Sequence, residues 1–240
     1  MSRLLTAIGV HPDDLVVAVA GTIRAYACAG WRIRCVVLTR GEAGGPPDVR
    51  MQETRRALGL LGVTEKDIIF GDFPDTGLVH DHAVIQFLED ASGQPDMALI
   101  PSIYDAHQDH VAASLAGRSA FRNTPDVLMY ETPSSTVDFR PEVFVDITRH
   151  LRAKVGAIRC HRTQRGHRYM SPHHVRCLAE VHGFQARVPY AETFMPLRAT
   201  LRVAETRGDR DRRNHFVESQ SPGSGSLDGY AETDATVTGL

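Results

Sequence analysis

Apolar residues arrive along this chain in short runs, each followed by a polar turn and then by a stretch with helical spacing. Leu4 to Gly9 reads as a first strand, and Asp14 to Ala29 as a helix rich in Ala and Val that Gly30 closes. Ile33 to Thr39 is β-branched enough for a second strand. Asp48 then caps a helix in which Met51, Thr54, Ala57, Leu58 and Leu61 recur at helical intervals, with Gly62 as its stop. Ile68 to Phe70, Met97 to Ile100, Val127 to Tyr130 and Val143 to Ile147 are four further strand candidates. Strands alternating with helices predict an α/β domain in three layers, with a mostly parallel sheet of about six strands joined by crossover helices. From Thr206 onward Arg and Asp alternate, and a Ser-Pro-Gly-Ser-Gly-Ser run leads into a polar finish. Such a segment buries too little apolar surface to offset its ordering entropy, so residues 1–205 are expected to form one domain and 206–240 a disordered tail.

Composition narrows the class. A chain of 240 residues, 42% of them apolar, can bury one sizeable core. A formal charge of −2 gives no electrostatic case for nucleic acid. Cys28, Cys35, Cys160 and Cys177 show no Cys-x-x-Cys spacing and read as reduced, buried thiols, which implies a cytoplasmic setting. No apolar run approaches the roughly 18 residues that cross a bilayer, and Met1-Ser2-Arg3 opens no basic-plus-apolar leader. No membrane span is expected, and a homo-oligomer is compatible with this composition. The few aromatics, with the single Trp31 near a strand start, argue for a small substrate rather than a long oligosaccharide.

The chemistry lies in two segments far apart in sequence, His11-Pro12-Asp13-Asp14 and His107-Gln108-Asp109-His110. Singly, each has an ordinary reading. Pro-Asp-Asp is a turn and helix-start sequence in which Asp caps free N–H groups, and His-x-x-His occurs on exposed helix faces. Both segments, however, follow strand-like runs, and ligands in an open α/β sheet bind beyond the carboxyl ends of the strands. A catalytic zinc takes three ligands from His and carboxylate and keeps one position open for water. His11, Asp14 and His110 fill those places, which leaves Asp13 as general base and His107 as acid or oxyanion partner.

These residues resemble the LmbE-like, or PIG-L, de-N-acetylases. Val10-His11-Pro12-Asp13-Asp14-Leu15, running into Ala20-Gly21-Thr22, is similar to the family's opening motif, and Asp105-Ala106-His107-Gln108-Asp109-His110 to its second. Leu38 to Gly45 looks like its Thr-x-Gly-x-x-Gly loop, and Arg50-x-x-Glu53 opens the next helix in the same way. Asp75-Thr76-Gly77-Leu78 is similar to its Asp-Gly turn, Lys154, His161 and Gln164 to its Lys…His-x-x-Gln element, and Tyr190 to Phe194 to its closing motif. Leu15, Gln108 and Ala20 depart from the family pattern, and none is a ligand.

The resemblance implies a Rossmann-like fold. It also implies a zinc-dependent hydrolase, for which Fe2+ is an alternative ion, that removes an N-acetyl group from a small N-acetylglucosamine-type sugar or glycoside. Asp13 would take a proton from water. His107 would act in its protonated form, with a pKa above the free value of about 6.5. Asp109 would orient a histidine from behind, and Arg50 and Asp75 would contact the sugar. His161, His167, His173, His174 and His182 are separated by six, six, one and eight positions, which matches no ligand set and suggests solvated or supporting roles. Two rivals stand beside this reading. His11, Asp13 and His110 could form the facial triad of a non-haem iron oxygenase. The first strand and helix could instead belong to a nucleotide-binding module without chemistry, although no Gly-x-Gly-x-x-Gly follows that strand.

Overall fold

In the computed structural model residues 2–202 are described, so the expected tail at 206–240 and its boundary at 205 lie outside them. Among the described residues seven strands form one sheet: β1 (Leu4–Gly9), β2 (Arg32–Thr39), β3 (Ile68–Phe73), β4 (Met97–Pro101), β5 (Asp126–Tyr130), β6 (Val143–Asp146) and β7 (Ala191–Arg198). Their order is β3-β2-β1-β4-β5-β7-β6. The first five lie parallel, and β7 runs antiparallel to both β5 and β6. The α/β architecture is the one expected, with β7 as an unforeseen strand. Its sequence hides it, because Glu192 and Thr193 are buried polar residues and Pro196 lies next to a register shift against β5.

Helices cover both faces. One face packs against α1 (Asp14–Ala18), α2 (Ala20–Cys28), α3 (Pro47–Leu61), α6 (Leu151–Ile158) and α7 (Pro172–Ala186). The other packs against α4 (His82–Ser92) and α5 (Gln108–Ala120). Leu5, Ala7, Cys35 and Val37 point into the first layer, Ile8, Val36 and Leu38 into the second. Burial on both sides makes the central strands unbroken apolar runs, which is why they are legible in sequence.

The single helix expected over Asp14 to Ala29 is two helices, broken at Val19 with φ −128° and ψ 16°. A helix start leaves its first N–H groups without partners inside the helix. Here Glu192 of β7 accepts them, from Gly21 at 2.8 Å and Thr22 at 2.7 Å. Lys154 of α6 closes the other side, donating to the carbonyls of Val17 at 2.6 Å and Ala18 at 3.1 Å and to Glu192 at 2.6 Å. Two further expectations are corrected. Asp48 sits in the first turn of α3, whose cap is Pro46, so it complements the helix dipole rather than capping. Cys28 and Cys177 are exposed on outer helix faces, and only Cys35 is fully buried; none of the four is in a disulfide. Gly62 ends α3 as expected, at a φ of 96° that suits glycine. No helix among the described residues is long and apolar enough to cross a membrane.

Candidate metal centre

The strand order reverses between β1 and β4, and in an open α/β sheet a ligand site forms beyond the carboxyl ends of the strands at such a point. His11, Asp13 and Asp14 follow β1, and Asp105, His107, Asp109 and His110 follow β4, so the topology itself brings the two segments together. His11 Nδ1, Asp14 Oδ2 and His110 Nε2 form a triangle with sides of 3.3, 3.4 and 3.6 Å. Two ligands each about 2.1 Å from a tetrahedral ion stand about 3.4 Å apart, so this donor set fits a small divalent ion. It is Asp14, not Asp13, that completes the histidine pair, so the triad of His11, Asp13 and His110 is not the set brought together, and the fold is not all-β. A second set that could share an ion, His11, His107 and Asp109, also draws on His11.

Each corner is held from behind. Asp14 Oδ2 also accepts the backbone N–H of Val10 at 2.9 Å and of His11 at 2.8 Å. His110 faces Asp105 through Nδ1 at 3.1 Å, which turns Nε2 toward the triangle. Asp105 is itself fixed by the His107 N–H at 2.8 Å, Ser134 Oγ at 2.6 Å and the Thr132 hydroxyl. His11 Nε2 lies 3.2 Å from Asp75 and 3.5 Å from Asp109, yet neither carboxylate is aligned with it, so this buried nitrogen makes no hydrogen bond. Asp109 accepts the Thr76 N–H at 2.7 Å and the Leu78 N–H at 3.2 Å, fastening the Asp75 to Leu78 turn beneath His11.

Four carboxylates thus surround two imidazoles, and the site favours positive charge. Burial alone would lower the pKa of His11, but Asp14, with Asp109 and Asp75, pushes it up to about 12. Burial opposes the rise of His110 too, which Asp14 and Asp105 carry to about 9. In the other direction, burial would raise Asp14, but His110 and His11 hold it well below the usual carboxylate range.

Asp13 lies beside the triangle with its carboxylate on other partners. Its Oδ1 accepts from the Arg50 guanidinium at 2.7 Å and its Oδ2 from the Tyr169 hydroxyl at 3.2 Å. Arg50 also donates to the Gly41 carbonyl at 2.5 Å. The glycine loop is shaped around this guanidinium: a Cβ at Gly41, where φ is +70°, or at Gly44 would meet it at 2.3 or 2.4 Å. Glu53 accepts from Thr163 N–H at 3.1 Å and its hydroxyl at 2.7 Å, and Gln164 donates to the Gly44 carbonyl at 3.0 Å, so the next turn closes over the same loop.

His11, Asp13, Asp14, His107 and His110 border a cavity of about 460 Å³ that Arg50, Asp75 and Tyr169 also line. Arg50 and Asp75, expected to touch a sugar, reach this cavity with their charges turned toward Asp13 and His11. His107 caps α5, its Nδ1 accepting the Asp109 N–H at 3.2 Å, which assigns the proton of the neutral ring to Nε2. Burial lowers its pKa, and the facing His11 and His110 push the same way, outweighing Asp109. The expectation of a raised His107 pKa is therefore corrected: the ring packs 4.7 Å from that of His11 and 4.8 Å from that of His110, and like charge disfavours its cation.

Tyr169, Thr132 and Ser134 are site residues that sequence reasoning misses. Nothing in a loop tyrosine or a Thr-x-Ser pair marks it before the chain folds, although Asp105 stood inside a recognised motif. Of the later histidines, His161 is wholly buried, His167 stacks on Tyr169 at 5.2 Å, and His182 pairs with Glu131 at 3.2 Å. Among the described residues the groups able to hold an ion all include His11, so these histidines make no second centre.

Comparison with known proteins fits this geometry. The family described as PIG-L, GlcNAc-PI de-N-acetylase, matches residues 6–121, which span both ligand segments. The chain is 33% identical over 169 residues to the uncharacterized deacetylase YaiS of Escherichia coli K12, covering 66% of this chain and 90% of that protein. It is 30% identical over 182 residues to the diacetylchitobiose deacetylase of Thermococcus kodakarensis, covering 64% and 67% respectively. Among solved structures, GalB, the 4-carboxy-2-hydroxymuconate hydratase of Pseudomonas putida KT2440, superposes with a TM-score of 0.72 at 23% identity, over 85% of this chain and 99% of that one. That likeness shows a shared fold, and a fold hosts more than one reaction.

Proposed function

The chain belongs to the PIG-L, or LmbE-like, family, and from that premise we propose that it is a metal-dependent amide hydrolase that removes the acetyl group from an N-acetylglucosamine-type sugar or glycoside. The observation that carries this reading is the triangle of His11, Asp14 and His110 at the mouth of a cavity, with a supported carboxylate, Asp13, beside it. A zinc ion held by those three residues supplies an acidified water and polarises a carbonyl, and Fe2+ suits the same donors.

The chain's own groups do the remaining work. Asp13 accepts a proton from the attacking water and later passes it to the departing amine, so that acetate and a free amino sugar leave. Arg50 and Tyr169 hold both of its oxygens and fix where that proton sits. His107 offers its Nε2–H to the oxygen that becomes negative as the carbonyl turns tetrahedral, a role open to a neutral imidazole. Asp105 steadies His110 from behind, and Asp109 adds negative charge beside His11 while holding the Asp75 to Leu78 turn. In this reading Asp75, in the cavity wall, accepts from a sugar hydroxyl, and Arg50 serves the substrate through Asp13. A small N-acetylated sugar is the partner this cavity suits, and the nucleotide-binding alternative gains nothing from a site crowded with carboxylates.

Mass spectrometry of a panel of N-acetylglucosaminides treated with the zinc-loaded protein tests the reading, with loss of 42 mass units, roughly one acetyl replaced by hydrogen, as the expected result. The same preparation is offered 4-carboxy-2-hydroxymuconate. Turnover of that compound without any deacetylation would replace the proposed hydrolase by a hydratase.

A further inference from the structure

A second cavity of about 280 Å³ adjoins the first and shares Val17, Pro133 and Tyr169 with it. Val175, Leu178 and Ala179 of α7 form its outer wall, and Leu178 is 48% exposed at the rim. The ionisable groups in this wall already face neighbours: Lys154 and Glu192 as an ion pair, His182 and Glu131 as a contact in which burial disfavours both charges, and His174 against Arg168. Lys154 lies 2.6 Å from Glu192, and His182 lies 3.2 Å from Glu131. Burial pushes the Glu131 carboxyl up and the His182 imidazole down to about 4, so His182 is neutral at pH 7. The two wall threonines are engaged as well, Thr132 on Asp105 and Thr193 on the Val143 carbonyl. A second sugar ring, with hydroxyls on most carbons, would lose its water there and gain few partners, whereas a hydrocarbon would meet aliphatic side chains.

Size points the same way. The cavity is roughly nine times the 30 Å³ that one water occupies in the liquid, which suits a group of about that many heavy atoms. An acetyl group brings one methyl, so the acyl part of an N-acetyl substrate leaves this space unfilled. We propose that the second cavity is a subsite for an apolar aglycone, so that the preferred substrate is an N-acetylated amino sugar whose medium-length hydrocarbon substituent passes Tyr169 and seats against α7. This rests on the hydrolase reading above for the sugar, and on the second cavity alone for the substituent.

Each buried methylene strengthens binding by about fourfold at most, so several together give a preference of tenfold or more. The test compares methyl and octyl 2-acetamido-2-deoxy-β-D-glucopyranoside, the latter below its micelle concentration, with methyl 2-octanoylamido-2-deoxy-β-D-glucopyranoside as a third arm. The kcat/KM of the zinc-loaded full chain is measured alongside calorimetric binding to the metal-free protein. The octyl glycoside should exceed the methyl glycoside at least tenfold in both. Ala179→Phe, which fills the cavity, and Leu178→Asp, which places a charge at its rim, should each remove most of that advantage and leave the methyl glycoside unchanged. Equal handling of the two glycosides, persistence of the preference in both folded variants, or preference for the octanoyl amide would each overturn the proposal. Should the octyl glycoside bind tightly, lose affinity in both variants and still not be deacetylated, the subsite stands and the hydrolase reading falls.

Discussion

Two buried ionic clusters flank α1, and they differ in whether they are closed. On one side Lys154 and Glu192 satisfy each other and the backbone: the ammonium meets two carbonyls and a carboxylate, and the carboxylate meets two N–H groups of α2. Its charges balance. On the other side four carboxylates, Asp14, Asp75, Asp105 and Asp109, surround two imidazoles, His11 and His110; one buried nitrogen of His11 has no hydrogen bond, and a cavity opens beside them. The closed cluster acts on structure, holding the helix break that follows the His11 to Asp14 segment. The open one is left with a demand for positive charge that a ligand can meet, and buried charge of either kind is strongly destabilising to leave half-paired.

The comparison breaks most sharply at the open cluster. His110→Ala should abolish deacetylation by removing a ligand, and because it also leaves Asp105 and Asp14 without their buried partner, circular dichroism and a melting curve of the same preparation separate lost chemistry from lost fold. Next comes Asp13→Asn, for which turnover should fall by about 10²–10⁴, the range of a positioned general base, with KM little changed. Steady-state kinetics on the same glycoside series decide it, and full activity would move the base elsewhere.

The closed cluster should answer in stability instead. Lys154→Met leaves Glu192 buried without its cation and should cost about 3–5 kcal/mol in urea unfolding. The double variant with Glu192→Gln should cost less than the sum of the singles, since the two residues act as a unit. Additive losses would separate Lys154 from Glu192 and leave the helix break without its proposed lock.

The smallest effect concerns His182. Burial, reinforced by Lys154, depresses its folded pKa to about 4, below the ordinary 6.5. Between those values the unfolded chain binds a proton that the folded chain does not, so stability rises with pH across that window and is lost as pH falls through it. His182→Gln should flatten the slope of unfolding free energy between pH 4 and 6.5 and leave it unaltered above pH 7.

How much of this was legible before folding follows the range of the contacts involved. β1, β2 and the ligand segments could be read because burial on both faces and placement at strand ends are local consequences of sequence. The break at Val19 could not, because Glu192 and Lys154 make it from more than a hundred residues away. β7 was hidden by the very residue, Glu192, that gives it a purpose. The raised pKa expected for His107 failed for the same reason: neighbours in sequence, Asp105 and Asp109, suggested a cation, while neighbours in space, His11 and His110, oppose it. Arg50 shows the limit in another form, since a motif match indicates that a residue matters without saying that its guanidinium lies on Asp13.

The central claim is that adjacent aspartates divide the labour, Asp14 as ligand and Asp13 as base. Elemental analysis of the wild type, Asp13→Asn and Asp14→Asn, each loaded with zinc and desalted together, addresses it directly. One ion per chain should remain in the wild type and in Asp13→Asn and be lost from Asp14→Asn. Retention in Asp14→Asn with loss from Asp13→Asn would contradict the assignment and return the ligand role to Asp13.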